Sequence, residues 1–528
     1  MRKERNAAIV AVLAIAASAP LAIYPSMARA DELSDLRANQ ELLQRRLDQL
    51  AQAPAPGNPF GVGGPPGPTT VQMMGGSFPR SFLIPGTDTS IRIGGEVTEV
   101  MDYWFSGGNP NSSPQSTTVG DNGQALSAPL HVHSGLNAAG AIVPAGNPAR
   151  SRGDAIFWQS PRQSKLSVET RTPTAWGEAR TYMEFDWAGS TAFSPGGATP
   201  TSVSDNLSPR LRFAYGTLGG FLAGQANSNF SDPDANGEAL DFGGNVGEPG
   251  VVRIPQVRYT MPLAPWTLPG ALSVSAETPE TDVVTGAGII GSDASGSSPA
   301  GTFPAGTINP TKAFAPDLTA AWFIPQPWGH VDYSAVVRPG LEMKDGMFVN
   351  RSFVGWGVHF GGDVKPGWFN MPKDDIIFHF TYGNAIGRYL NSSSHFALVS
   401  NYPALSANAP TSAAAAANVL INPTVEWGGE IGYQHWWMSN LRSNINMGIQ
   451  HHDISTRAAG CSAFSAAALA GTGNCGLNKE VITTHANIIW NPVPFVDVGL
   501  EYMWGHRLVL SGLKGDENVL ISKFAVKF

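Results

Sequence analysis

Six arginines, Arg92, Arg171, Arg180, Arg210, Arg212 and Arg258, and four acids, Asp232, Asp234, Glu238 and Asp241, are the side chains whose types and spacing could act together. Each arginine lies in a stretch that alternates polar with apolar residues, and the acids fall between two such stretches, within 228–250. Guanidiniums facing carboxylates across a wet gap set a transverse field that orients dipolar solutes, and rings of Arg favour anions. Some of these charges are expected to pair with neighbours such as Glu169 and Glu184. Bond-making chemistry finds little support. No G-x-S-x-G or H-E-x-x-H occurs. His435, His451 and His452 come nearest to a metal cluster, but His452 shares the parity of Gln450 while His451 points the other way. The expectation is a protein that is not an enzyme and holds no metal or cofactor.

Strands must position those charges. In Ile91 to Phe105, Ile91, Ile93, Val97, Met101, Tyr103 and Phe105 share one face, and Arg92, Glu96 and Asp102 share the other. Leu166 and Val168 likewise oppose Lys165, Glu169 and Arg171, and Met183, Phe185 and Trp187 oppose Arg180, Glu184 and Asp186. The same reading sets Leu211, Phe213 and Tyr215 opposite Arg210 and Arg212, and Val257 and Tyr259 opposite Arg258. Sixteen such strands are expected, from 91–105 through 162–172, 208–217 and 329–338 to 517–528.

A soluble sandwich alternates too, but its strands are short and turns come about every 8–12 residues. Here the stretches are longer and aromatics gather at their ends, as in a transmembrane barrel with apolar residues toward lipid and charges toward a wet lumen. Connections alternate in length. Those at 106–161, 188–207, 228–250, 280–315, 339–351, 389–422, 454–478 and 508–516 are long, whereas 173–175, 218–219, 325–328, 437–440 and 491–495 are short. Outer-membrane barrels divide extracellular loops from periplasmic turns in this way. The fold class expected is therefore all-β: a 16-stranded antiparallel transmembrane β-barrel over residues 81–528, with both ends in the periplasm.

Composition agrees. Charged residues make up 14% of the chain, against roughly 25% in an ordinary soluble domain. A net charge of −8 argues against a nucleic-acid partner, which would need a basic face. The mean hydropathy of −0.08 excludes a bundle of membrane-spanning helices. Residues 1–30 read as a signal peptide: Arg2, Lys3 and Arg5, an apolar run from Ala7 to Ala19, and Ala28-Arg29-Ala30 at the cleavage site. In 31–52, Leu33, Gln40 and Leu47 recur every seven residues, offset by three from Leu36, Leu43 and Leu50, which predicts a short periplasmic coiled-coil helix with a register-fixing Gln. Residues 53–80 are a Pro/Gly-rich linker. Cys461 and Cys475 are the chain's two cysteines, and in an oxidising compartment they read as one disulfide closing a surface loop, with metal binding the weaker alternative.

The chain ends Lys523-Phe524-Ala525-Val526-Lys527-Phe528, with Leu520, Phe524, Val526 and Phe528 on one face. A terminal Phe in that setting resembles the C-terminal insertion signal of outer-membrane barrels. Phe82-Leu83-Ile84-Pro85-Gly86-Thr87-Asp88-Thr89-Ser90-Ile91-Arg92-Ile93-Gly94-Gly95, following signal, coiled coil and linker, resembles the start of DcaP-like trimeric outer-membrane porins. So do Glu169 to Thr174, Trp176 to Thr181, Phe213 to Gly219, Ser228 to Ala235 and Asn491 to Tyr502. The resemblance spans nearly the whole mature chain. It implies a homotrimer in the outer membrane of a Gram-negative cell, in contact with lipid and inserted by the barrel-assembly machinery. It also implies passage of small hydrophilic solutes with a bias toward organic anions such as dicarboxylates. The connection after strand five would fold inward and narrow the pore. A trimeric surface adhesin, which also joins coiled coil to barrel, is the alternative; there a long passenger precedes a short barrel of few strands per chain, whereas here the coiled coil is tiny and the barrel complete.

Overall fold

The computed structural model describes residues 75–106, 156–189, 209–247, 252–281, 283–285, 288–290, 311–344, 350–367, 371–390, 397–400, 420–454, 478–510, 512 and 514–528. Residues 1–74, with the expected signal peptide and coiled coil, and Cys461 and Cys475 lie outside the described residues.

Sixteen antiparallel strands close into one barrel. They are β1 (Ser90–Ser106), β2 (Lys165–Thr174), β3 (Gly177–Asp186), β4 (Arg210–Leu218), β5 (Phe221–Asn227), β6 (Arg253–Pro262), β7 (Ala271–Glu277) and β8 (Asp317–Gln326). Then follow β9 (Gly329–Lys344), β10 (Asn350–Val364), β11 (Asp375–Asn384), β12 (Val425–Met438), β13 (Leu441–Asp453), β14 (Asn478–Trp490), β15 (Val496–Val509) and β16 (Lys514–Lys527). Each pairs with its neighbours in sequence, and β16 pairs back onto β1 from Glu96 opposite Lys527 to Ser106 opposite Asn518. Closure leaves no row of unpaired backbone groups, which a barrel in lipid cannot tolerate. Among the described residues no α-helix occurs; three short 3-10 turns do.

Burial is inverted relative to a soluble protein. Thr98, Glu169, Gln256, His359, Glu430, Asn446 and Glu517 are buried inside, whereas Ile93, Val97, Met183, Ile431, Ile445, Leu500 and Phe524 are exposed outside. In water each such apolar side chain would forgo about 1.5–3 kcal/mol of burial; against lipid it forgoes nothing. Exposed aromatics band both rims, Trp176, Trp266 and Trp437 at the short-turn end and Tyr103, Phe105 and Trp356 toward the long-loop end, the positions where amphipathic rings meet headgroups.

Three departures from strict alternation have local causes. β9 runs on through Pro339-Gly340 to Lys344, so the connection 339–351 shrinks. Its register against β10 shifts between Arg338 and Leu341, a bulge that suits a proline with no N–H to donate. A strand at Ile156–Ser160, expected to be connection, pairs with the upper half of β1 before the chain bends at Pro161 and enters β2. The third departure is a bulge in β4. Glu184 pairs with Phe213 but Phe185 pairs with Leu211, so Leu211 stays outside while Phe213 and Tyr215 turn to the arginine side. Their assignment to the lipid face is corrected accordingly. At the long-loop end the connections after β7 and β11 meet in a separate four-stranded sheet, Gly288–Ile290, Val283–Thr285, Ala397–Ser400 and Leu420–Pro423.

Candidate functional site

The arginines of the first six strands share the inner face and form one sector. Arg92, Arg171 and Arg180, from β1, β2 and β3, converge on a single buried carboxylate, Glu169. Arg171 Nε and Arg180 Nε donate to its Oε1 at 2.8 and 2.7 Å. Arg171 also lies 3.5 Å from Glu178. Nearer the long-loop end, Arg210 grips Asp186, while Arg212 donates to Glu184 at 2.6 Å and to Asp186 at 3.0 Å. Arg258 is held by the Gln256 side chain at 2.9 Å and the Asn227 carbonyl at 2.5 Å. Five of the six arginines thus pair with wall carboxylates. Pairing does not cancel the sector: these six guanidiniums are set against four carboxylates, Glu169, Glu178, Glu184 and Asp186, and Arg253 of β6 adds a seventh guanidinium beside Phe213.

Aromatic rings lie between the guanidiniums, Tyr182 by the parity of β3 and Phe213 and Tyr215 because of the β4 bulge. Arg180 lies over Tyr182 at 5.6 Å and Tyr215 at 5.8 Å, and Arg253 over Phe213 at 5.3 Å. A ring face leaves the guanidinium edge free to bond and holds its plane in one orientation.

The connection after β5 folds into the barrel, and the wall grips it largely by its backbone. Glu277 accepts the Asn229 N–H at 2.8 Å. Glu430 accepts the Gly237 N–H at 3.2 Å and the Asn245 amide at 2.7 Å. Glu501 accepts the N–H groups of Leu240 and Asp241 at 2.7 and 3.3 Å, and the Thr483 hydroxyl accepts that of Val246 at 3.2 Å. Irregular backbone inside a barrel needs partners of this kind, because its N–H groups lack a ladder. Inward glycines make room. A Cβ at Gly448 would lie 2.1 Å from the Val246 carbonyl oxygen, and one at Gly499 would lie 2.7 Å from Leu240. Leu240 then packs with Val100, Trp104, Ile489, Met503, Val519 and Ile521, while Phe242 lies beneath Arg162 at 5.4 Å and Arg210 at 5.2 Å. The segment therefore runs from β7 past β12, β13 and β15 to the arginine sector.

Its four acids play different parts. Asp232 is buried, caps the 3-10 turn Pro233–Ala235 and lies 2.7 Å from His330 Nε2, whose other nitrogen meets Asp363. Asp234 stays exposed. Glu238 is clamped by Arg442 of β13 through Nε at 2.7 Å and Nη2 at 2.6 Å, so it turns away from the arginine sector. Asp241 accepts the Gly243 N–H at 3.0 Å. Sequence reading did not single out Glu277, Glu430 or Arg442, although all share the inward parity. Arg338, whose parity also sets it inward, is fully buried and bonds Asp317 at 3.0 Å and the Ala385 and Glu280 carbonyls at 2.8 and 2.7 Å beneath the long loops. His452 and His451 do point to opposite faces, His452 buried inside and His451 stacked on Trp427. Among the described residues no cluster of three or more His, Cys, Asp or Glu could hold a metal.

The family model described as the porin subfamily matches residues 139–509, well over half of the chain. Among curated proteins none matches. Among solved structures, the chain is similar to the outer membrane channel DcaP of Acinetobacter baumannii, with a TM-score of 0.58 and 21% identity over 86% of this chain and 100% of that one. Weaker likenesses are to an anion-selective porin from Comamonas acidovorans (TM-score 0.42, 8% identity, 83% of this chain and 100% of that one) and to OmpF of Salmonella typhi (TM-score 0.42, 9% identity, 83% and 98%).

Proposed function

The chain belongs to the porin subfamily, and from that premise we propose that it forms a water-filled outer-membrane channel for passive diffusion of small hydrophilic solutes, biased toward small organic anions such as dicarboxylates. The observation that carries the bias is the convergence of Arg92, Arg171 and Arg180 on one carboxylate, Glu169. Three guanidiniums sharing one acid keep donors and charge to offer a passing anion. Two unit charges 4 Å apart interact by about 1 kcal/mol in bulk water and about 4 kcal/mol at an effective dielectric of 20. Charge fixed in a narrow lumen therefore outweighs distant loop charge. The inward segment Ser228–Gly247 narrows the path beside this sector, with Asp234 and Asp241 on its surface. A dicarboxylate suits the two levels of the sector, Arg92/Arg171/Arg180 at one and Arg210/Arg212 at the other. The short turns face the periplasm and the long connections the outside, so the N-terminal coiled coil sits in the periplasm and three copies assemble.

The test is planar-bilayer conductance of the purified protein with reversal potentials in a salt gradient, followed by competition with succinate. Anion preference and succinate-induced blocking are expected. Strong cation preference would overturn the bias and give control of the pore to the acids of the inward segment.

A further inference from the structure

The segment before the first strand is docked into the barrel although its composition reads as linker. The Gly76 N–H donates to the Ser81 carbonyl at 2.9 Å and the Ser77 N–H to the buried Ser90 hydroxyl at 2.8 Å. The Ser81 hydroxyl donates to the Phe78 carbonyl at 2.5 Å and accepts the Phe78 N–H at 3.2 Å. Arg80 takes a left-handed conformation, φ 59°, that lets the chain double back. This small knot presents one side chain. Phe78 is 3% exposed, and its ring lies 4.5 Å from the Arg171 guanidinium and 5.6 Å from that of Arg92.

Those two arginines belong to the triad around Glu169. The carboxylate takes their edges and Phe78 takes a face of each, so both are held in place from two directions. A guanidinium against a ring also loses water on that face, and its charge is less screened than one hydrated all round. We propose that Phe78 is a specificity-determining residue of the channel, an aromatic cap from the N-terminal segment that fixes Arg92 and Arg171 at the short-turn mouth of the lumen. Phe242 makes the corresponding contact with Arg162 and Arg210 from the inward segment. The basic sector is thus bracketed by two rings, each supplied from outside the barrel wall. The inference rests on the reading of that sector as part of the ion path.

The experiment compares the full chain with Phe78→Leu, Phe78→Tyr and Phe78→Ala in planar bilayers, reading conductance and the chloride-to-potassium permeability ratio in a KCl gradient. Leu keeps apolar bulk and removes the ring quadrupole. Phe78→Leu is expected to lower the ratio at least twofold at nearly unchanged conductance, Phe78→Tyr to retain it, and Phe78→Ala to lower it and raise conductance. Heat-modified gel mobility establishes that each variant is a folded barrel. A Phe78→Leu ratio equal to wild type, or a Tyr variant that behaves like Leu, would overturn the inference and leave Phe78 as packing alone. Cation preference in the wild type instead defeats the proposed anion bias. The inference is then judged by the shift, since Phe78→Leu must still move the ratio toward cations.

Discussion

At the scale of single residues, function turns on which charges are compensated. Glu169 serves three arginines, and its removal as Glu169→Gln leaves all three with an amide. Anion preference should rise several-fold, read as a shifted reversal potential. Arg258 bonds Gln256 and a carbonyl, so Arg258→Ser should lower anion preference without stranding a buried carboxylate. Arg210 and Arg212 are poorer targets, because losing both leaves Asp186, 1% exposed, without a guanidinium and with the Ala188 N–H as its remaining donor, at about 1–3 kcal/mol. Parity made the arginines legible in the sequence, since a period of two assigns every residue of an unbroken strand to a face. It failed at Phe213 and Tyr215, where one extra residue reverses the faces and nothing in Arg-Leu-Arg-Phe-Ala-Tyr announces it. Pairing partners were legible only as neighbours: Glu169 and Glu184 could be named, but the convergence of three arginines on one of them is a matter of geometry.

At the scale of elements, the inward segment is held by wall carboxylates and accommodated by wall glycines. Gly448→Leu would drive a side chain into the Val246 carbonyl and push the segment off β13. We expect a barrel of normal heat-modifiability whose single-channel conductance is changed and noisier. Glu501→Gln, which weakens the hold on Leu240 and Asp241, should act in the same direction. Inward glycines were visible in the sequence, but a glycine that makes room for a loop looks like one that lines water. On the short-turn side, Asp374 accepts the Trp436 N–H at 3.0 Å and the Tyr433 hydroxyl at 2.7 Å and lies 2.8 Å from His435 Nδ1. Burial pushes its carboxyl up, yet these bonds and the His435 charge prevail, so its pKa lies below the ordinary 3.8. A depressed carboxylate stabilises the fold above its unfolded pKa and loses that contribution as pH falls through the folded value. Asp374→Asn should therefore lower the urea midpoint at pH 7, and the difference should shrink as pH falls below the ordinary carboxylate range.

At the scale of the whole molecule, strand number and connection order were legible because lipid enforces them, whereas what lies at the barrel's two ends was not. Gly75–Arg80 reads as linker yet docks, since a Pro/Gly composition reports local stiffness and says nothing of a buried Phe. Three copies are expected in native mass measurements of the detergent-extracted protein, and deleting 31–52 should leave them together, because three heptads form only a marginal helix. The other end poses a question of assembly against stability. Phe528 closes the seam through its backbone, its N–H donating to the Gly95 carbonyl at 3.0 Å and its carbonyl accepting the Gly95 N–H at 3.2 Å. Its ring is 54% exposed on the lipid side. Phe528→Ala keeps both hydrogen bonds and removes a ring that gains little from lipid over its unfolded state, so the folded barrel should denature at nearly the wild-type urea concentration. If the ring is an insertion signal, the variant should nevertheless reach the outer membrane in several-fold lower yield. Wild-type yield with a lowered midpoint would make Phe528 a structural staple instead.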